Sequence, residues 1–146
     1  MASSSASPLS TRKAPWHLWL VGAFALLWNG SGAITIFMAQ AGKLSVSPDE
    51  AEYYAAQATW FVVLTDAALL SAIAAAVALL LRSRTAIWLF GISLTASAVS
   101  NACDIAMGTS RALVGRGAMI VTTLIVVIAI LELMYAVTMA RRSVLK

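Results

Sequence analysis

One cysteine and one histidine stand among the 146 residues, and their scarcity excludes several kinds of chemistry. Cys103 alone cannot form an intrachain disulfide, a CxxC redox pair or a thiolate metal site. In its apolar setting it reads as a small packing residue. His17 alone cannot supply bis-histidine haem ligation or a multi-histidine metal site. It follows Trp16 and reads as an interfacial anchor. No metal or cofactor is expected. Hydrolysis would want a Ser–His or metal constellation, and quinone redox chemistry would want cysteine pairs or haem, so no enzyme is expected either.

Charge is scarce too. Charged residues make up 11% of the chain, against about 25% in soluble domains, while 61% is hydrophobic. A chain this apolar cannot cover its own surface, and a lipid bilayer is its expected solvent. The net charge of +4 comes from residues at the edges of apolar runs. It does not form a basic face interleaved with aromatics, which argues against nucleic acid as a partner.

What the sequence does have is four long apolar runs, with approximate spans 16–40, 55–81, 85–107 and 116–139. Each suffices for the roughly 20 residues a membrane helix needs. In lipid the backbone must satisfy its own hydrogen bonds, so an all-α, polytopic four-transmembrane-helix bundle over 15–142 is expected. Residues 1–14 read as a disordered, Ser-rich N-terminus and 143–146 as a C-terminal tail. The first run continues through Ile34, Ile36, Phe37 and Met38. That is longer than a signal peptide's apolar core, so it reads as a retained helix.

Lysine and arginine set the expected orientation. With the N-terminus cytoplasmic, seven of them fall inside (Arg12, Lys13, Arg82, Arg84, Arg141, Arg142, Lys146) and three outside (Lys43, Arg111, Arg116). Both termini are therefore expected in the cytoplasm. In the first external loop, Ser47-Pro48-Asp49-Glu50 carries a capping box with proline at the first helical position. One helix from Pro48 to Leu81 would be about 51 Å long, so it should project outward or break between Tyr53 and Thr59. Tyr53, Tyr54 and Trp60 suit the outer interface, Trp16 and Trp19 the inner.

Ionisable groups inside a membrane are the default candidates for function. Three acids qualify: Asp66, Asp104 and Glu132. Each could serve proton coupling, cation binding or a buried hydrogen bond between helices. Ser93, Ser97, Ser100, Asn101 and Asp104 recur every three or four residues and so share one helix face. That stripe should point into the bundle or toward a cavity. Ala67, Ser71 and Ala75 form a small-xxx-small row that permits close helix approach. Asn29-Gly30-Ser31 matches a glycosylation sequon but falls near the membrane midplane, so the match is a coincidence of letters. Gly30, Gly32 and Ala33 should let a neighbouring helix come close there. By depth, Asp66 is the expected partner of Asn29. The candidate polar site is therefore Asn29, Asp66, Asn101, Asp104 and Glu132.

Trp28-Asn29, Gly32, Met38 and Gln40 in the first run, Pro48 to Tyr54 in the loop, Trp60 opening the second span and Asn101 late in the third form a pattern. It resembles a family of small bacterial four-helix membrane proteins, some of them labelled sugar transporters. The resemblance covers roughly residues 15–142 and implies a multi-pass protein of the bacterial inner membrane, not an activity. This chain departs from the pattern at Thr35, where the family has an acid, and lacks a proline before Trp60. Small multidrug transporters, also four-helix, rely on a first-helix glutamate that is missing here. The first functional expectation is a non-enzymatic partner or assembly protein, with the bilayer, a further copy or another membrane protein as partner. The alternative is an oligomeric small-molecule or proton-coupled transporter using Asp66 and the Ser93/Ser97/Asn101/Asp104 stripe.

Overall fold

The computed structural model describes residues 14–107 and 115–146. The polar N-terminus through residue 13, the loop carrying Arg111 and the Arg116 side chain lie outside the described residues. Within them the chain is all-α: α1 (Trp16–Gln40), α2 (Pro48–Ala56), α3 (Thr59–Leu80), α4 (Thr85–Met107) and α5 (Gly115–Arg141). Four of these, all but α2, are long and apolar enough to cross a membrane. The expected break falls at Gln57 and Ala58, whose backbones are extended (φ/ψ −65/129° and −66/143°). Residues 55 and 56 thus belong to the short loop helix, and the second span begins at Thr59.

The backbones pack closely in the order α1, α3, α4, α5. α1 and α5 barely approach each other as backbones, so the seam between them is left to side chains. Small residues make the close contacts elsewhere. On α3 the buried alanines include Ala68, Ala72, Ala75 and Ala76; of the expected row Ala75 is buried, Ser71 half-buried and Ala67 exposed. The close approach expected at Gly30 and Gly32 does not occur. Nothing lies within 4 Å of a Cβ built on Gly30, and at Gly32 only Leu69 Cδ2, at 4.0 Å. It occurs instead at Gly22, where a Cβ would stand 2.5 Å from Leu80 Cδ2.

The end of the bundle opposite α2 is tightly filled. Leu18, Leu79, Phe90 and Met139 are completely buried there, joined by Val144 and Leu145. Residues 143–146, the expected C-terminal tail, dock on the bundle. Lys146 N–H donates to the Arg82 carbonyl (2.7 Å), Arg84 N–H donates to the Lys146 carbonyl (2.8 Å), and Arg82 Nε donates to the Val144 carbonyl (3.0 Å). α3 and α5 both end in left-handed turns. At α5, Ser143 (φ 57°) donates to Ala140 and Val144 donates to Met139, closing a Schellman motif with Val144 and Met139 both in the core.

A left-handed residue other than glycine costs about 1–2 kcal/mol. Ser143 is exposed and its N–H is retained by glycine. Ser143→Gly should raise unfolding stability in detergent by about 1 kcal/mol, whereas Ser143→Val should lower it. Reversible chemical denaturation followed by circular dichroism measures both.

Candidate functional site

The polar face of α4 turns inward. Ser93, Ser100 and Asp104 are buried, and Ser97 and Asn101 half-buried. Ser100 shares a hydrogen bond with Thr65 of α3 (3.1 Å). From Ser97 toward α2, this face lines a cavity of about 580 Å³. Ile36 and Gln40 of α1, Thr65 and Leu69 of α3, and Val121 and Ile125 of α5 contribute to its walls. Ser93, one turn below Ser97, does not.

α2 roofs this cavity with Glu50, Tyr53 and Tyr54, joined by Gln57 just after it. The helix forms because Ser47 and Glu50 close the expected capping box. Ser47 Oγ accepts from Glu50 N–H (3.3 Å), and Glu50 Oε2 accepts from Ser47 N–H (2.9 Å) and hydroxyl (2.8 Å). These bonds from Ser47, the backbone N–H foremost, hold the Glu50 carboxyl below its ordinary pKa of 4.5. Tyr53 reaches down from the roof, and its hydroxyl donates to Asp104 Oδ1 (3.4 Å). Burial, then the negative charge of Asp104, pushes the phenol up to about 12. It therefore remains a donor across the physiological range. Burial and then the Glu50 charge also raise Tyr54.

Asn29 does not meet Asp66. It meets Glu132: Asn29 Nδ2 donates to the two carboxylate oxygens at 3.0 and 3.3 Å, and to the Ala25 carbonyl at 2.8 Å. Asp66 instead accepts from Gln40 Nε2 (3.2 Å) and reaches the cavity wall only through it. Counting helical rise misses this, since Asn29 lies about 20 Å above Trp16 and Asp66 about 21 Å above Leu80. What decides it is the lean of side chains toward their own N-terminus. Asn29 leans away from the α2 end while Asp66, on an antiparallel helix, leans toward it, so the two diverge. Glu132 on α5 leans toward the α2 end and converges on Asn29. Gln40 and Asp66 converge by the same rule. Ser31 also finds no neighbouring helix: its hydroxyl donates to the Trp28 carbonyl (2.9 Å).

The Asn29–Glu132 bond crosses the loosely packed α1–α5 seam. Two turns toward α2 from it stand Ile36 and Ile125, the deepest residues that α1 and α5 contribute to the cavity. Toward the other end, His17 Nδ1 lies 2.6 Å from the Tyr135 hydroxyl. Sequence reading missed Gln40, Tyr53 and Gln57 as wall residues. Their signal was weak, because polar residues at helix ends are common, but the capping box did announce a structured roof. Among the described residues no group of three or more His, Cys, Asp or Glu side chains could hold a metal ion.

No family model, curated protein or solved structure matches this chain.

Two predictions come from this geometry. Asn29→Leu strips a buried carboxylate of its partner and should cost about 1–3 kcal/mol, whereas Glu132→Gln keeps an acceptor and should cost less. Combining Asn29→Leu with Glu132→Leu should recover part of the loss, which a double-mutant cycle on detergent unfolding measures. The second concerns pH. Glu50 has a lowered folded-state pKa, so its contribution is present above the ordinary value of 4.5 and is lost as pH falls through the folded value. Hydrogen exchange of α2 amides should speed up on that acidification, beyond the intrinsic pH effect, and Ser47→Ala should speed it at neutral pH.

Proposed function

We propose that the protein is a bacterial inner-membrane protein that binds a small molecule within the bundle, at the end facing away from the cytoplasm. The cavity of about 580 Å³ carries this reading. Small-molecule sites fall at about 300–1,000 Å³ and combine apolar walls with a few convergent polar groups. Here Gln40, Tyr53, Gln57, Asn101 and Asp104 converge on walls that include Ile36, Leu69 and Ile125. The lysine and arginine distribution supports cytoplasmic termini, which would put α2 and the cavity outside. The Trp-Asn resemblance supports the bacterial inner membrane.

A partner or assembly role needs only apolar outer surfaces, which lipid would cover equally well, so the cavity favours binding. Transport would need a path past the filled core of Leu18, Leu79, Phe90 and Met139. Binding is the step the cavity supports. Asp104, Asn101 and Ser97 would contact the molecule, while Asp66 would act through Gln40 and Glu132 would hold the seam.

Cysteine labelling tests this in a Cys103→Ser background. Ser97→Cys, on the cavity wall, should react with a membrane-impermeant maleimide added from outside. Ser93→Cys, buried one turn deeper, should resist it. Equal resistance at both positions would contradict a water-accessible cavity.

A further inference from the structure

The cavity's carboxylate, amides and phenols gather toward α2, at Asp104, Asn101, Gln40 and the two tyrosines; deeper in the bundle stand Ala68, Leu69 and Ile125, with the hydroxyls of Thr65, Ser97 and Ser100 on the facing walls. Asp104 is only 7% exposed, and the hydroxyl of Tyr53 donates to it at the long distance of 3.4 Å. Tyr53 and Tyr54 present their rings at 68° with centroids 5.5 Å apart, and both line the cavity. Two tyrosines packed edge to face on the wall, one of them bonded to a carboxylate, suit a positively charged head group, through ring quadrupole and charge pairing together. Glu50 adds a second carboxylate at the rim. On the α5 wall Val121 and Ile125 line the cavity with apolar surface and are 55% and 39% exposed, a side that suits an apolar tail.

Building on the binding reading above, we propose that the molecule held in this cavity is an amphipathic cation, an amine or quaternary ammonium on an apolar tail. Its head sits against Asp104, Tyr53 and Tyr54, and its tail lies along Leu69 and Ile125. The chemistry is shared by lipophilic amines arriving from water and by amine-bearing lipids of the leaflet.

Radiolabelled decyltrimethylammonium is the probe, applied to the full chain immobilised in detergent. Saturable binding is expected, competed by unlabelled probe and only weakly by decanol or decanoate. Asp104→Asn should weaken it on the order of ten-fold or more, since a buried charge loses its partner. Tyr53→Leu should weaken it, and Tyr53→Phe, which keeps the ring, should do so less. Asp49→Asn, a roof-helix acid off the cavity wall, should change nothing. If Asp104→Asn unfolds, the tyrosine pair decides. Competition by a lysophosphatidylethanolamine points to the lipid source, and its failure beside competition by free decylamine points to a soluble amine. Equal competition by decanol and decanoate, with Asp104→Asn and Tyr53→Leu silent, would overturn the cationic ligand while leaving the cavity a binding site. No saturable binding, with Ser97→Cys still labelled from outside, would overturn the cationic ligand while leaving the cavity water-accessible. The same result with Ser97→Cys unlabelled would overturn the binding reading as well.

Discussion

The hydrogen bond between Asn29 and Glu132 is the constraint on which the shape of this molecule depends. The other neighbouring helices are held by backbone proximity, with alanines and a glycine letting surfaces meet. α1 and α5 lack that contact; this bond ties them near mid-bundle, as His17 and Tyr135 do toward the end away from α2. In hydrocarbon neither an amide nor a carboxyl can be satisfied by water, so each needs the other. Burial of Glu132, at 6% exposure, is tolerable only because Asn29 donates to it.

The bond also marks a change in how the bundle is filled. On the side away from α2, Leu18, Leu79, Phe90, Met139, Val144 and Leu145 interlock, and the 82–84 turn clasps the residues after α5. On the side toward α2, small and polar side chains leave space, and a separate helix closes it over. α2 is shaped by its own capping box and meets the bundle where Tyr53 reaches Asp104, both modest interactions that leave the packed half independent of the roof. A stable base and a lightly covered cavity are what reversible binding of a small molecule requires.

Much of this was legible in the sequence. Scarce charge and four long apolar runs dictated the spans, and Ser47-Pro48-Asp49-Glu50 announced the loop helix. The three-and-four spacing from Ser93 to Asp104 put those residues on one face because helical periodicity is geometric. What the sequence concealed was pairing between helices. Asn29 and Asp66 sit at the same nominal depth, yet side-chain lean separates them by pointing one down and the other up. Gly30 and Gly32 looked like a close-packing site, but which glycine meets a neighbour depends on helix rotation, and Gly22 has the matching face. Burial of Val144 and Leu145 was hidden because nothing local distinguishes a docked segment from a free one.

The claim that the Asn29–Glu132 hydrogen bond holds the mid-bundle part of the α1–α5 seam is open to a direct distance measurement. Spin labels at Ile34 and Leu124, both facing outward, report the seam on its α2 side in a Cys103→Ser background. Double electron–electron resonance in nanodiscs should give a single narrow distance distribution for the otherwise native chain. Asn29→Leu should broaden it and shift it to longer distances. An unchanged distribution would contradict the account, because the seam would then be held by something other than Asn29 and Glu132.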